Sequence, residues 1–273
     1  MFVPKYTGPP LPDELFIEDA IKIVSEADKK GIVLRVLGAL AIRIHSMDYA
    51  DLHRKLGRLG RGKQTFSDID FIAYGKQRNK IRDFFERDMG YVADKYIMYS
   101  IMGKKRHIYY HPKGYYYIDV FFDKLEFSHD IPFRGRLELD KPTIPLADLV
   151  LEKIQIHEIN EKDIKDLIVL LRAHEIGEVD EKETINAKYI AKILADDWGF
   201  WYDATQNLQK VKFFAKKYYE ENLIDDVTLN DVIAKIDRII EIVEKEPKTK
   251  KWKKRAKIGV KKKWYREVEE IIR

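Results

Sequence analysis

The stretch SDIDFIAY, Ser67 to Tyr74, places two acids, Asp68 and Asp70, inside an apolar run. In an extended segment, side chains two apart share a face, so both carboxylates point the same way. Neighbouring like charges repel, and such a strand needs either a solvated end or a bound cation. Whatever this chain folds into has to bring a sheet to that pair.

The surrounding pattern supplies the sheet. Asp13 is placed to cap a helix running to about Lys30 and closed by Gly31. Residues 32–36 (IVLRV) read as a buried strand, and Gly38 opens the helix GALAIRIHS. DLHRKLGRLGRGKQT, with three Gly, reads as a helix end and a loop. GKQRNKIRDFFERDMG reads as an amphipathic helix ending at Gly90. YVADKYIMYSI, KRHIYYH and GYYYIDVFF read as short strands, separated by Gly103 and by Pro112-Lys113-Gly114.

DIPFRGRLELDKPTIP, with three Pro, closes the sheet region. Beyond it the spacing predicts helices in PLADLVLEKIQIHEI, EKDIKDLIVLLRAHE, INAKYIAKILADD, about 200–220, LNDVIAKIDRIIEIVEK and the basic tail. The expected fold class is α+β: an N-terminal domain with a mixed sheet over 1–141 and a C-terminal helical domain over 142–273.

Composition removes several classes of chemistry. Without cysteine there is no disulfide, thiolate zinc site or Cys nucleophile. No apolar run approaches the roughly 20 residues of a membrane helix. The start, MFVPKYTGPPLPDELF, has Pro and acids where a signal peptide would be apolar, so a cytoplasmic protein is expected. The 36% charged residues, mainly Lys and Glu, lean toward a thermophilic source. Charge is also uneven. From Lys248 to Arg266 there are eleven Lys/Arg and no acid, so the rest of a chain of net charge +5 carries −6.

The order strand, Gly38, helix, Asp-x-Asp strand and then Asp119 in a later strand has a chemical meaning. Three carboxylates on neighbouring strands could hold two Mg²⁺ ions, which prefer oxygen ligands. Two such ions can bind a triphosphate and lower the barrier for a hydroxyl attacking its α-phosphorus. Gly38 lies where a strand meets a helix N-terminus, a place where backbone N–H groups receive phosphate, and Ser67 could add a hydroxyl donor.

VLGALAIRI, then FSDIDF, then YIDVFF resembles the nucleotidyltransferase superfamily of polymerase-β-like fold. The resemblance implies Asp68, Asp70 and Asp119 as metal ligands for Mg²⁺ or Mn²⁺, and Gly38 with Ala39 as the phosphate turn. The chain departs from the family at Ala39, where Gly or Ser is usual.

Leu146, Leu149, Val150, Ile154 and Ile156 share one helical arc with Lys153 at its centre, and a Lys among apolar side chains needs an anion. On the next helix Asp163 is expected on the inward face and Asp166 at its edge. A Lys153–Asp163 ion pair joining two helices accounts for this pattern structurally. The spacing Lys153-x9-Asp163-x2-Asp166, with FSDIDF and Gly90-Tyr91, is also similar to the AbiEii-type branch of the superfamily, which includes abortive-infection and toxin–antitoxin enzymes. That likeness covers about Ile32 to Leu171. It implies that Lys153 contacts the NTP, that Asp166 completes the site and that Asp163 orients. It also makes an antitoxin protein an expected partner.

His107 and His111 are too far apart along a strand to share one metal and read as structural. Trp198 to Asp203 (WGFWYD) reads as core. The tail, with Trp252, Trp264 and Tyr265 among its basic residues, suits phosphate contact and base stacking on RNA. The expected activity is transfer of a nucleoside monophosphate from an NTP to an acceptor hydroxyl, with RNA, tRNA included, ahead of protein as the acceptor. The alternative is a catalytically silent nucleic-acid-binding module.

Overall fold

The computed structural model describes residues 6–60 and 63–268. The first residues of the Pro-rich start, Arg61 and Gly62 of the glycine-rich loop, and 269–273 lie outside the described residues. Helix α1 (Asp13–Lys29) has Pro12, not Asp13, at its N-cap. Asp13 sits in the first turn, where the helix dipole favours an acid, and accepts from Arg43 at 2.9 Å and from Thr65 at 3.2 Å. Strand β1 (Leu34–Leu37) is followed by α2 (Gly38–His45) and α3 (Ala50–Leu56). Next come β2 (Asp68–Ala73) and α4 (Arg78–Asp83), which continues as a π-helical turn over Phe84–Asp88.

Of YVADKYIMYSI only Val92–Ala93 forms a strand, β3. The Asp94 carboxylate accepts the Ile97 N–H at 3.1 Å and caps α5 (Lys95–Tyr99), so a side-chain cap overrides the β preference of Tyr and Ile. Strands β4 (Arg106–Tyr110) and β5 (Tyr117–Phe122) follow, then the short β6 (Lys124–Glu126) and β7 (Asp130–Pro132).

Two compact units emerge. The first comprises Met1–Ile44, Leu59–Leu125 and Pro132–Ile144; the second comprises His45–Arg58, Glu126–Ile131 and Pro145–Arg273. The first unit carries a five-stranded mixed sheet in the order β1-β2-β5-β4-β3, in which only the β2–β5 pair is parallel. The Pro-containing stretch after the strands rejoins this unit, because Thr143 forms a parallel bridge with Val36. One sheet face is an aromatic core: Phe85 stacks on Tyr109 with centroids 4.4 Å apart and tilts against Phe71 at 6.4 Å.

His107 is buried in this unit and its ring meets Phe122 edge-on. Burial first, and then the charge of Arg78, pushes its pKa down from 6.5 to about 4. The folded state therefore holds a neutral ring while the unfolded chain takes up the proton. This contribution is complete above about pH 6.5 and drains away as pH falls toward 4. His174, in the second unit, is pushed down to about 4, chiefly by burial, and adds the same sign. Urea midpoints should fall across that window, and His107→Gln should make the fall shallower. A pH-independent midpoint between 6.5 and 4 would refute this.

The second unit is helical. It contains α3, α6 (Leu146–Ile154), α7 (Glu161–Ala173), α8 (Ala187–Asp196), α9 (Trp198–Glu220), α10 (Asp226–Lys245) and α11 (Lys250–Ala256). Beyond the expected helices, the unit contains a parallel pair, β8 (Glu175–Gly177) and β9 (Thr184–Asn186). All nine residues of α6 are buried, so its polar members need partners inside the unit. Ile156 lies past the end of α6. Among the described residues, no helix is long and apolar enough to cross a membrane.

Candidate active site

In the first unit, strand pairing assembles the acids. On the parallel β2–β5 pair Asp70 stands opposite Asp119, and Asp68 stands opposite Tyr117. Partners in register on adjacent strands share a face, so Asp68, Asp70 and Asp119 lie on one side of the sheet. On the other flank of β2, Asp70 pairs with Leu37, the last residue of β1. Gly38 follows at once with φ +74°, a left-handed conformation that glycine adopts without strain, and opens α2. Gly38 and Ala39 therefore sit at the end of the strand beside Asp70. The Ser67 hydroxyl donates to Asp68 at 3.0 Å, and the Tyr117 hydroxyl donates to the other Asp68 oxygen at 2.8 Å.

Asp68 and Asp70 are half-buried, whereas Asp119 is only 2% exposed. Its charge is met by Arg106 of β4, whose guanidinium grips both carboxylate oxygens, one at 2.7 Å. Arg106 stands opposite Phe121, two residues along from Asp119 on the same face. Nothing local in the sequence marks Arg106, because only the antiparallel register of β4 on β5 brings it there.

Carboxylate oxygens are the ligand type a hard divalent cation prefers, but at Asp119 Arg106 already supplies the balancing charge. Among the described residues, no group of three or more His, Cys, Asp or Glu side chains is closely enough clustered to hold a metal ion. The bidentate Arg106 grip is the local reason that Asp119 is committed elsewhere.

The second unit holds a separate charged cluster. Lys153 is 5% exposed and reaches Asp163 at 2.9 Å and Asp166 at 3.2 Å. Asp166, rather than Asp163, is the fully buried acid, which reverses the expected order. It also accepts from His53 of α3 at 2.9 Å and from Arg58 at 3.1 Å. Burial alone would lower the Lys153 pKa, but Asp163, Asp166 and Glu152 outweigh it and hold the pKa above the ordinary lysine value. Burial would likewise raise the Asp166 pKa, but Arg58, Lys153 and His53 hold it below the usual carboxylate range. Asn160 caps α7 by accepting the Asp163 N–H at 3.0 Å, which fixes the start of the helix that carries both acids. His53 and Arg58 come from a segment read as helix end and loop, and only tertiary contact draws them in.

The basic tail docks on its own unit. The Trp264 indole N–H donates at 3.0 Å to Asp203, a buried acid that also binds His129 at 2.7 Å and His157 at 2.9 Å. Burial works against ionisation of Asp203, but these three hydrogen bonds prevail and lower its pKa. Trp252 lies edge-on to Trp201 with centroids 5.2 Å apart. The two tail tryptophans are thus engaged by the unit's own aromatic residues, while Lys250, Lys253, Lys254, Lys257, Lys261 and Lys262 stay exposed. Trp198, Phe200 and Asp203 are core residues.

No family model, curated protein or solved structure matches the chain.

Proposed function

We propose that the chain is a nucleotidyltransferase of polymerase-β-like fold that transfers a nucleoside monophosphate from an NTP to an acceptor hydroxyl and releases pyrophosphate. The observation that carries this reading is the register of Asp70 with Asp119, with Asp68 on the same face and Gly38 at the adjoining strand end. Asp68, Asp70 and Asp119 would hold Mg²⁺ or Mn²⁺, which supplies positive charge to the triphosphate and to the attacking oxygen. Gly38 and Ala39 would offer backbone N–H groups to phosphate, and Ser67 and Tyr117 hold Asp68 in place.

For Lys153 and Asp166, with Asp163 as orienter, NTP contact is what the family resemblance alone implies. RNA is the leading acceptor, favoured by the exposed tail lysines, and an antitoxin protein is the partner that the same resemblance suggests. One observation favours the second reading, a catalytically silent nucleic-acid-binding module: Arg106 already balances Asp119.

The test is incubation of the full-length protein with each α-labelled NTP, Mg²⁺ or Mn²⁺, and total RNA. Label should enter RNA, and Asp70→Asn should cut incorporation by about 10²–10³-fold, the scale for removing one electrostatic group from a transition state. The melting temperature of the variant, measured alongside, separates loss of chemistry from loss of fold. Absence of label from RNA with every NTP would remove RNA as the acceptor, and absence of label from added protein as well would defeat the enzyme reading.

A further inference from the structure

Between Lys95 and Lys105 the first unit shows solvent a surface that its own packing does not use. Tyr96 is 93% exposed, Tyr99 72%, Ile101 87% and Met102 46%. Lys95, Lys104 and Lys105 are exposed in the same segment, and it contains no acid. Apolar side chains exposed together, unlike ones scattered singly, are a mark of interaction surfaces.

The segment is nevertheless tightly built. Asp94 caps α5 and also accepts from the Tyr110 hydroxyl at 2.9 Å. The Ser100 hydroxyl donates to the Ile97 carbonyl at 2.8 Å and accepts the Met102 N–H at 3.1 Å. Gly103 is buried so close to the end of α5 that a Cβ there would lie 1.9 Å from the Met98 carbonyl oxygen. Only glycine lets the chain double back at that point and hold Tyr96 and Tyr99 outward on an ordered turn. The next residue after Lys105 is Arg106, which grips Asp119.

We infer that this turn is the platform on which a single-stranded nucleic-acid acceptor docks. Bases stack on Tyr96 and Tyr99 while Lys95 and Lys104 meet the backbone phosphates. The nearest acid in sequence, Asp94, is occupied by the Ile97 N–H and the Tyr110 hydroxyl. The exposed lysines therefore favour a polyanion, and rings on an ordered turn give stacking without a large ordering cost. The tail tryptophans, packed against Asp203 and Trp201, are less available for that task. The platform rests on the reading of the chain as acting on a nucleic acid, but binding is measured without NTP, so failure of catalysis leaves this test intact.

The experiment is fluorescence anisotropy of the full-length protein with a labelled single-stranded RNA dodecamer and with a duplex of the same length, at two salt concentrations. The single strand should bind more tightly than the duplex. Tyr96→Ala with Tyr99→Ala should weaken it by about 10-fold or more without changing the melting temperature, and Tyr→Phe at both positions should retain binding. Lys95→Ala with Lys104→Ala should flatten the log–log salt slope by about 1.4, the value for two phosphate contacts on a single strand. The inference is overturned if the Tyr→Ala pair binds like wild type, if duplex and single strand bind equally, or if wild type binds neither. It is also overturned if Lys253→Ala with Lys254→Ala in the tail reproduces the whole effect. Concentration-dependent dimerisation abolished by the Tyr→Ala pair would instead assign the surface to a second copy of the chain.

Discussion

Asp166→Ala should lower the stability of the protein by about 3–5 kcal/mol, the cost of removing one member of a buried charge network. Asp166 is fully buried and is the shared acceptor for Lys153, Arg58 and His53. Without it, the cations on α6 and at the end of α3 face one another with Asp163 and Glu152 as the remaining nearby carboxylates. Denaturant unfolding followed by far-UV circular dichroism measures the loss in a unit that is almost wholly helical. Lys153→Met in the same background should cost less than it does alone, because the two side chains belong to one network and their effects do not add. A loss below about 1 kcal/mol for Asp166→Ala, on the scale of an exposed pair, would show that the cluster does not hold the helices together.

The second large effect belongs to Arg106. Arg106→Gln takes the bidentate counter-charge from Asp119, which is 2% exposed, and should cost about 3 kcal/mol in metal-free buffer. If Asp68, Asp70 and Asp119 share a cation, the substitution also removes its competitor. Adding Mg²⁺ or Mn²⁺ should then raise the melting temperature of Arg106→Gln more than that of the wild type, because a ligand that binds only the folded state stabilises it in proportion to its affinity. Equal shifts in the two proteins would mean that these carboxylates do not bind metal together. The silent nucleic-acid-binding module would then be the better reading.

These two residues show where local pattern stops being sufficient. The i, i+2 spacing of Asp68 and Asp70 places both on one face of a strand whatever its neighbours are, because strand geometry alone has that period. Lys153 among Leu149, Val150 and Ile154 calls for a buried anion for the same kind of reason, since a helix repeats every 3.6 residues and isolated buried charge is costly. Gly38 after a strand and before a helix is equally local. The alternation of strands with turn residues up to Phe122, followed by long amphipathic helices, was enough to expect a mixed sheet and a helical C-terminal part.

What the chain does across long separations was not legible. The parallel register that sets Asp70 against Asp119 joins residues 49 apart, and the antiparallel register that delivers Arg106 depends on how β4 pairs with β5. His53 and Arg58 reach Asp166 across more than a hundred residues. Neither propensity nor periodicity carries information about such partners. Helix phase alone also misjudged which of Asp163 and Asp166 lies deeper, because the position of α3 decides it. In the segment after Ala93, a run of β-forming residues became a helical turn because the Asp94 carboxylate found the Ile97 N–H, and Gly103 then let the chain fold back on itself. Periodicity and residue chemistry placed the acids and the lysine on their faces. Only tertiary packing chose their partners, because a charge takes whichever counter-charge the folded chain brings within a few ångströms.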